Sequence, residues 1–195
     1  MELRIVLVSL IAISLVGWLH PSQTKRPDFS GTWTQDSEAS KALTEKMGHT
    51  WRVAGASAGA GTSAGPNHRV IRQVTDITQS ETELILESRS DKEVIGRTVY
   101  KLDGSVSVNA SRNSSSRSTT VWKGSSLVTS GTTVLDFSDG SVRTVSGKPI
   151  KEIRREFVIT RTLMPDGSMQ VENRSKEEGK PERVSWSVLV RVKQP

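Results

Sequence analysis

The carboxyl-terminal end of the chain shows the clearest alternation of apolar and polar residues. Val184, Trp186, Val188, Val190 and Val192 share one parity, and mostly polar residues occupy the other. Successive side chains of a β-strand point to opposite faces of the sheet. The pattern therefore predicts a strand with its valine-bearing face buried and its other face in water.

Similar β-rich runs recur from residue 68 onward, separated by turn signals. They cover residues 82–87, 94–102, 119–122, 127–137, 152–163 and 168–172, with Asp-Gly pairs at 103–104, 139–140 and 166–167. No long helical pattern alternates with them, as a parallel sheet would require. We therefore expect an all-β protein, an antiparallel meander of about eight to ten strands that closes into a barrel and so removes its exposed edges.

One short helix is expected directly after the first strand, which begins within residues 29–33. Asp36 or Ser37 can cap it, and Glu38 in its first turn suits the positive end of the helix dipole. We expect a helix of one to three turns, by the same signals.

The first 24 residues have the pattern of an export segment. Residues 5–19 are almost wholly apolar and follow Arg4, but they are short of the roughly 20 residues needed to span a bilayer. They predict a signal peptide or an uncleaved N-terminal anchor, which would be the only contact with a membrane. Either outcome predicts an extracytoplasmic protein of the periplasm, the cell envelope or the medium. Residues 27–195 then form a single domain, with a flexible Gly/Ala/Ser loop at 54–66.

Composition excludes several function classes. The chain has no cysteine, which excludes disulfides, thiol nucleophiles and cysteine-ligated metals. The formal net charge is +6, but the basic residues are scattered among acidic ones and do not alternate with exposed aromatic residues. No nucleic-acid binding is therefore predicted. The three histidines have no paired spacing, so neither a metal site nor a cofactor is predicted.

Two Gly-x-Ser-x-Gly matches, at residues 55–59 and 61–65, resemble the nucleophile elbow of serine hydrolases. The elbow requires an acid and then a histidine after the serine. Only His68 follows, and no Asp or Glu precedes it after Ser57 or Ser63. The matches are typical of chance in a tract of small residues, and we predict that the protein is not an enzyme.

Residues 28–33, Asp-Phe-Ser-Gly-Thr-Trp, with Ser40-Lys41 downstream, resemble the opening of small exported bacterial lipocalin-like proteins of the calycin type. The resemblance implies that Gly31 and Trp33 form the structural motif at the closed end of a barrel. It also implies that an arginine from the last strand covers the tryptophan, with Arg191 as the candidate. The second lipocalin motif is missing, and Arg191 lies on the parity assigned above to solvent. A β-sandwich is the alternative fold.

Along residues 153–163, the parity that carries the apolar residues also carries Arg155 and Arg161. A guanidinium inside a barrel needs an anionic partner, because an unpaired buried charge is costly. An acidic ligand head group would provide one. The alternatives are a β-bulge near Arg155 or an internal salt bridge.

These observations lead to two functional hypotheses. The first is an exported lipocalin-like protein that binds a small hydrophobic or amphiphilic ligand, with Arg155 and Arg161 as ligand-binding residues. The second is a non-enzymatic structural or protein-interaction module of the cell envelope.

Overall fold

A computed structural model describes residues 26–49, 73–90, 93–137, 143–145 and 148–192. In this part of the chain, twelve strands and one helix follow one another in the order β1 (Gly31–Asp36), α1 (Ser37–Lys46), β2 (Gln73–Gln79), β3 (Glu83–Ser90), β4 (Glu93–Lys101), β5 (Ser107–Ser111), β6 (Ser114–Lys123), β7 (Ser126–Asp136), β8 (Arg143–Val145), β9 (Lys148–Ile150), β10 (Glu152–Leu163), β11 (Met169–Glu177) and β12 (Arg183–Arg191).

Ten of these strands form one antiparallel sheet, in the order β4-β3-β2-β1-β12-β11-β10-β7-β6-β5, while β8 and β9 form a separate hairpin. The first strand pairs with the last, with Trp33 opposite Arg191, so the meander curls round on itself. The result is a nearly closed barrel with one short helix after its first strand. The all-β barrel predicted from the sequence is confirmed, including its strand number.

Helix α1 begins where the sequence predicts. Asp36 is its N-cap and accepts a hydrogen bond from the backbone N–H of Ala39 at 2.9 Å. Glu38 lies in the first turn and Lys46 in the last, so both ends carry the charge that the helix dipole favours. The helix therefore starts without a linker at the end of β1.

The two end strands of the sheet, β4 and β5, lie side by side and are joined through side chains. The Asn109 amide donates to the Val99 carbonyl at 2.9 Å, and its oxygen accepts from the Val99 N–H at 2.8 Å. The Ser107 hydroxyl accepts from the Lys101 N–H at 2.8 Å. These side chains take the place of backbone pairing along this seam.

The apolar core fills the end of the barrel at which β1 begins. Phe29, Trp33, Leu84 and Leu127 are fully buried there, and Met169 is nearly so. The Phe29 ring lies 6.0 Å from that of Trp122, and the Trp33 indole N–H donates to the Phe29 carbonyl at 2.9 Å. This end of the barrel is closed by packed side chains.

The valine-bearing face of the last strand is buried at Trp186 and Val188, as predicted, but the other face, predicted to lie in water, faces the barrel interior. In β12, Leu189 packs against the core and lies opposite Met169, so the odd-numbered parity faces the interior. Trp186 and Val188 lie on the outer face and are nevertheless buried. Helix α1 covers this face, and its Ser40 hydroxyl accepts a hydrogen bond from the Val188 N–H at 2.8 Å. Just after the helix, the centre of the His49 ring lies 4.7 Å from that of Trp186, with the two rings tilted by 58°. The valine-bearing face is apolar because it contacts the helix.

Several predicted features lie outside the described residues, namely the export segment at 1–24, the loop at 54–66, and Ser57, Ser63 and His68. Among the residues that are described, no helix has the length and hydropathy of a membrane span.

Candidate functional site

The inner face of β10 carries both arginines predicted as ligand-binding residues. The strand pairs with β11 and β7 without a register shift from Arg155 to Thr162, so no β-bulge changes the parity between Arg155 and Arg161. Leu163, on the same parity, packs against the core. Arg155 and Arg161 therefore point to the same side, the interior, at different depths in the barrel.

Arg155 has an internal partner. It lies directly opposite Glu177 on β11, and its Nη2 is 3.5 Å from Glu177 Oε2. Lys180 donates a second hydrogen bond to the same carboxylate. The bond from Lys180, assisted by Arg155, holds the pKa of Glu177 below its ordinary value. The internal salt bridge, one of the two alternatives to a ligand contact, is present at this position.

Arg161 lies deeper and is only 5% exposed. Its guanidinium carbon is 5.2 Å from the centre of the Tyr100 ring, and its Nη1 is 3.5 Å from the Thr129 hydroxyl. Among the described residues, no carboxylate lies within 4.0 Å of it. A cation–π contact and one long hydrogen bond satisfy a buried guanidinium less well than an anion would.

Buried hydroxyl groups lie beside Arg161. Thr120 on β6 and Thr129 on β7 are directly opposite each other and fully buried, and their hydroxyls are 3.0 Å apart. Ser118, the next inward residue of β6, is 3% exposed, and its Oγ has no hydrogen-bonding partner in the described structure. The indole N–H of Trp122 is likewise buried without a partner there. Buried polar atoms in proteins are nearly always paired, so this region is suited to receive further polar atoms.

Sequence reasoning did not find Tyr100, Ser118, Thr120 or Thr129. The inward residues of β6 are three serines, one threonine and a tryptophan, a largely polar pattern that a solvent-facing strand also shows. Their inward direction follows only from the pairing of β6 with β7, in which Trp122 lies opposite the fully buried Leu127. The residues of β6 by themselves therefore do not reveal whether this face points into the barrel or into solvent.

The interior reaches solvent at the end of the barrel opposite Trp33. Asn173 on β11 and Ser185 on β12 lie opposite each other on the inner face, and both are exposed. Arg155, on the same face, keeps 36% of its side chain exposed. The barrel is thus packed at one end and open at the other, with Arg161 between the two.

At the packed end, Arg191 covers Trp33. Its guanidinium carbon is 4.6 Å from the ring centre, and it donates hydrogen bonds to the carbonyls of Ser30 and Asp28. Gly31 has a φ of 134°, and a Cβ there would lie 2.8 Å from Arg191 Nη1. Glycine fits this position because it permits both the backbone angle and the close approach of the arginine. The inward parity of Arg191 is explained by the corrected orientation of β12.

No group of residues in the described ranges has the composition of a metal site. No family model matches the sequence, and no curated protein does. Among solved structures, the chain is similar to the REP1-NXSQ fatty acid transporter, with 12% identity, a TM-score of 0.46, and coverage of 85% of this chain and 97% of that one.

Two further similar structures are secretory abundant heat soluble proteins from Ramazzottius varieornatus. One has 10% identity and a TM-score of 0.41, covering 82% of this chain and 93% of that one. The other, protein 4, has 10% identity and a TM-score of 0.44, covering 84% of this chain and 94% of that one.

Proposed function

We propose that this protein is an exported, non-enzymatic barrel that binds a small amphiphilic ligand with an acidic head group, and that Arg161 receives this head group. The observation that carries the proposal is the buried Arg161 guanidinium, which has no carboxylate partner among the described residues. An isolated buried charge costs several kcal/mol, in the range of roughly 3–5 kcal/mol when its partner is removed. A carboxylate from a ligand would supply that partner together with charge-assisted hydrogen bonds.

The surroundings of Arg161 suit an amphiphile. Val171 lies directly opposite Arg161 on β11, and Ile159 and Phe157 follow on the inner face of β10 toward the open end. These apolar side chains can bury a hydrocarbon portion above the head group, which favours binding in proportion to the apolar area removed from water. The ligand would enter head first, past Arg155.

Arg155 takes a secondary part in this proposal. Its salt bridge with Glu177 satisfies its charge, so it does not require a ligand anion. It lies nearer the open end, where a passing carboxylate can exchange with the bridge. We expect its replacement to alter association more than the final affinity.

Two measurements test the proposal. Native mass spectrometry of protein isolated from its own envelope fraction, followed by denaturation, identifies any released acid and reads the mature N-terminus. Titration with a fluorescent long-chain acid then compares Arg161→Met with Arg154→Met, whose side chain is exposed on the outer face of the same strand. We expect Arg161→Met to weaken binding by about tenfold to a hundredfold, the value of a charge-assisted hydrogen bond, and Arg154→Met to leave it unchanged.

A ligand-free mass together with equal binding by the two variants would contradict the proposal. The alternative, a structural or protein-interaction module of the cell envelope, would then be the better account. An intact leader in the mature protein would replace the signal peptide with an N-terminal anchor.

A further inference from the structure

The outer face of β6, β7 and β10 has a central surface without charged side chains. Cross-strand pairing arranges six of its residues in two adjacent rows, which we call the neutral face: Val121, Val128 and Thr160 in one row, and Thr119, Ser130 and Val158 in the next. Val121 is 40% exposed and Val158 is 37% exposed. Removing such side chains from water is favourable, so this face gains free energy when a partner covers it.

The next row toward the open end of the barrel carries one charge of each sign. Thr132 on β7 lies opposite both Arg117 on β6 and Glu156 on β10, so the two charges stand on either side of the central strand at one level. Both side chains are exposed, and their Cα atoms are two strand spacings apart, about 10 Å. Among the described residues, neither has an opposite charge within 4.0 Å, although Lys176 lies directly opposite Glu156 on β11. Both charges are therefore available to a partner.

We propose that the neutral face is the interface of a homodimer whose twofold axis runs along β7, parallel to the strand. Rotation about this axis exchanges the positions of β6 and β10 and keeps every row at its own level. Arg117 of one protomer therefore faces Glu156 of the partner subunit, and symmetry repeats the pair on the other side of the axis. A second copy of this chain is thus an occupant whose charges match the charges beside the neutral face.

The charge pattern selects this orientation. With a twofold axis across the strands at the level of Ser130, Arg117 would face Val121 of the partner subunit, and Glu156 would face Thr160 of the partner subunit. Both charges would then be covered without a counter-charge, which is costly. Of the two orientations, the axis along β7 gives each charge a partner.

The same rotation brings the neutral faces together without a charge between them. Val128 lies on the axis and meets Val128 of the partner subunit. Val121 meets Thr160 of the partner subunit, and Thr119 meets Val158 of the partner subunit. The strands of the two sheets run in nearly the same direction, as they do in aligned sheet packing.

The size of the interface predicts a reversible dimer. Three strands with a spacing of about 4.8 Å, over about eight residues at about 3.4 Å each, cover roughly 400 Å² per protomer in projection. Two such faces bury on the order of 1,000 Å² of accessible surface, the lower limit for a specific interface. We therefore expect a dissociation constant of roughly 10–100 μM. Because the axis runs along the strands, both barrels open toward the same side and neither opening is covered.

Sedimentation velocity of the full protein over a range of concentrations measures the dissociation constant. Arg117→Glu and Glu156→Arg each place like charges opposite one another at both contacts, and each should raise it about tenfold or more. The double variant restores opposite charges and should return to nearly the wild-type value. The control is Glu93→Arg, which makes the same charge change at an exposed position of β4, outside the neutral face, and should dimerise like the wild type.

Two results would overturn the inference. One is a protein that remains monomeric at millimolar concentration. The other is a dimer that tolerates both single reversals, or that the double reversal does not restore, because its interface then lies elsewhere. Circular dichroism checks that each variant folds. Val128→Lys provides an independent test should a reversal variant not fold: it places two ammonium groups at the axis and should abolish the dimer, and an unchanged dissociation constant would equally overturn the inference.

Discussion

The side chain of Asn109 holds the two end strands of the sheet together, and its removal should open the seam between β4 and β5. The amide of Asn109 satisfies both the N–H and the carbonyl of Val99, as a paired strand would. In Asn109→Ala both hydrogen bonds are lost, and the end strands separate more readily at this point. The third side-chain hydrogen bond of the seam, from the Lys101 N–H to the Ser107 hydroxyl, remains.

The size of the effect follows from the number of bonds. Each net hydrogen bond contributes about 0.5–1.5 kcal/mol, so Asn109→Ala should lower the free energy of unfolding by roughly 1–3 kcal/mol. Asn109→Asp keeps an acceptor for the Val99 N–H but places a carboxylate against the Val99 carbonyl. It should lose at least half as much stability at neutral pH.

Urea denaturation gives the free energy of unfolding, and amide hydrogen exchange at Val99 reports local opening of the seam. The matched control is Asn173→Ala, because Asn173 is exposed on the inner face of β11. It should change stability by less than about 0.5 kcal/mol. If Asn109→Ala matches this control and the Val99 amide exchanges at the wild-type rate, the seam is held by other contacts and the reasoning is wrong.

Three further predictions concern packing and pH. Gly131→Ala should lower the free energy of unfolding, measured by urea denaturation, by about 1–3 kcal/mol or more, because its Cβ would lie 2.2 Å from a backbone oxygen. The control is Gly96→Ala, whose Cβ would have no atom within 4 Å and which should leave stability nearly unchanged. Equal losses in the two variants would refute this reasoning. Arg191→Met removes two hydrogen bonds and the cation over Trp33, so the free energy of unfolding should fall by about 1–3 kcal/mol. Tryptophan fluorescence emission should also shift to longer wavelength. Unchanged emission would count against the contact between Arg191 and Trp33. The pKa of Glu177 is lowered in the folded protein, so its salt bridge stabilises the fold above the unfolded pKa and is lost as pH falls below about 4.5. In Glu177→Gln, the free energy of unfolding should therefore fall less steeply with decreasing pH in this acid range. A decrease as steep as that of the wild type would contradict this prediction.

The sequence determined the local elements of this protein. The repeated β-rich runs and Asp-Gly turns predicted the antiparallel meander, and Asp36 predicted the start of the one short helix. The parity of β10 placed Arg155 and Arg161 on one inward face. These features depend on a two-residue period and on capping chemistry, which act between neighbours in the chain.

Tertiary structure decided which groups meet. The alternation in β12 is compatible with two arrangements: the apolar face can point into the barrel, or it can lie on the outside beneath a helix. The second arrangement is the one observed, because α1 packs on the outer face of β12. Likewise, Arg155 forms a salt bridge with Glu177, whereas Arg161 has no carboxylate partner among the described residues. The difference follows from strand register, which sets the cross-strand neighbours of each residue. The period of a strand divides its residues between two faces, but the contacts that bury a face or pair a charge come from residues distant in sequence.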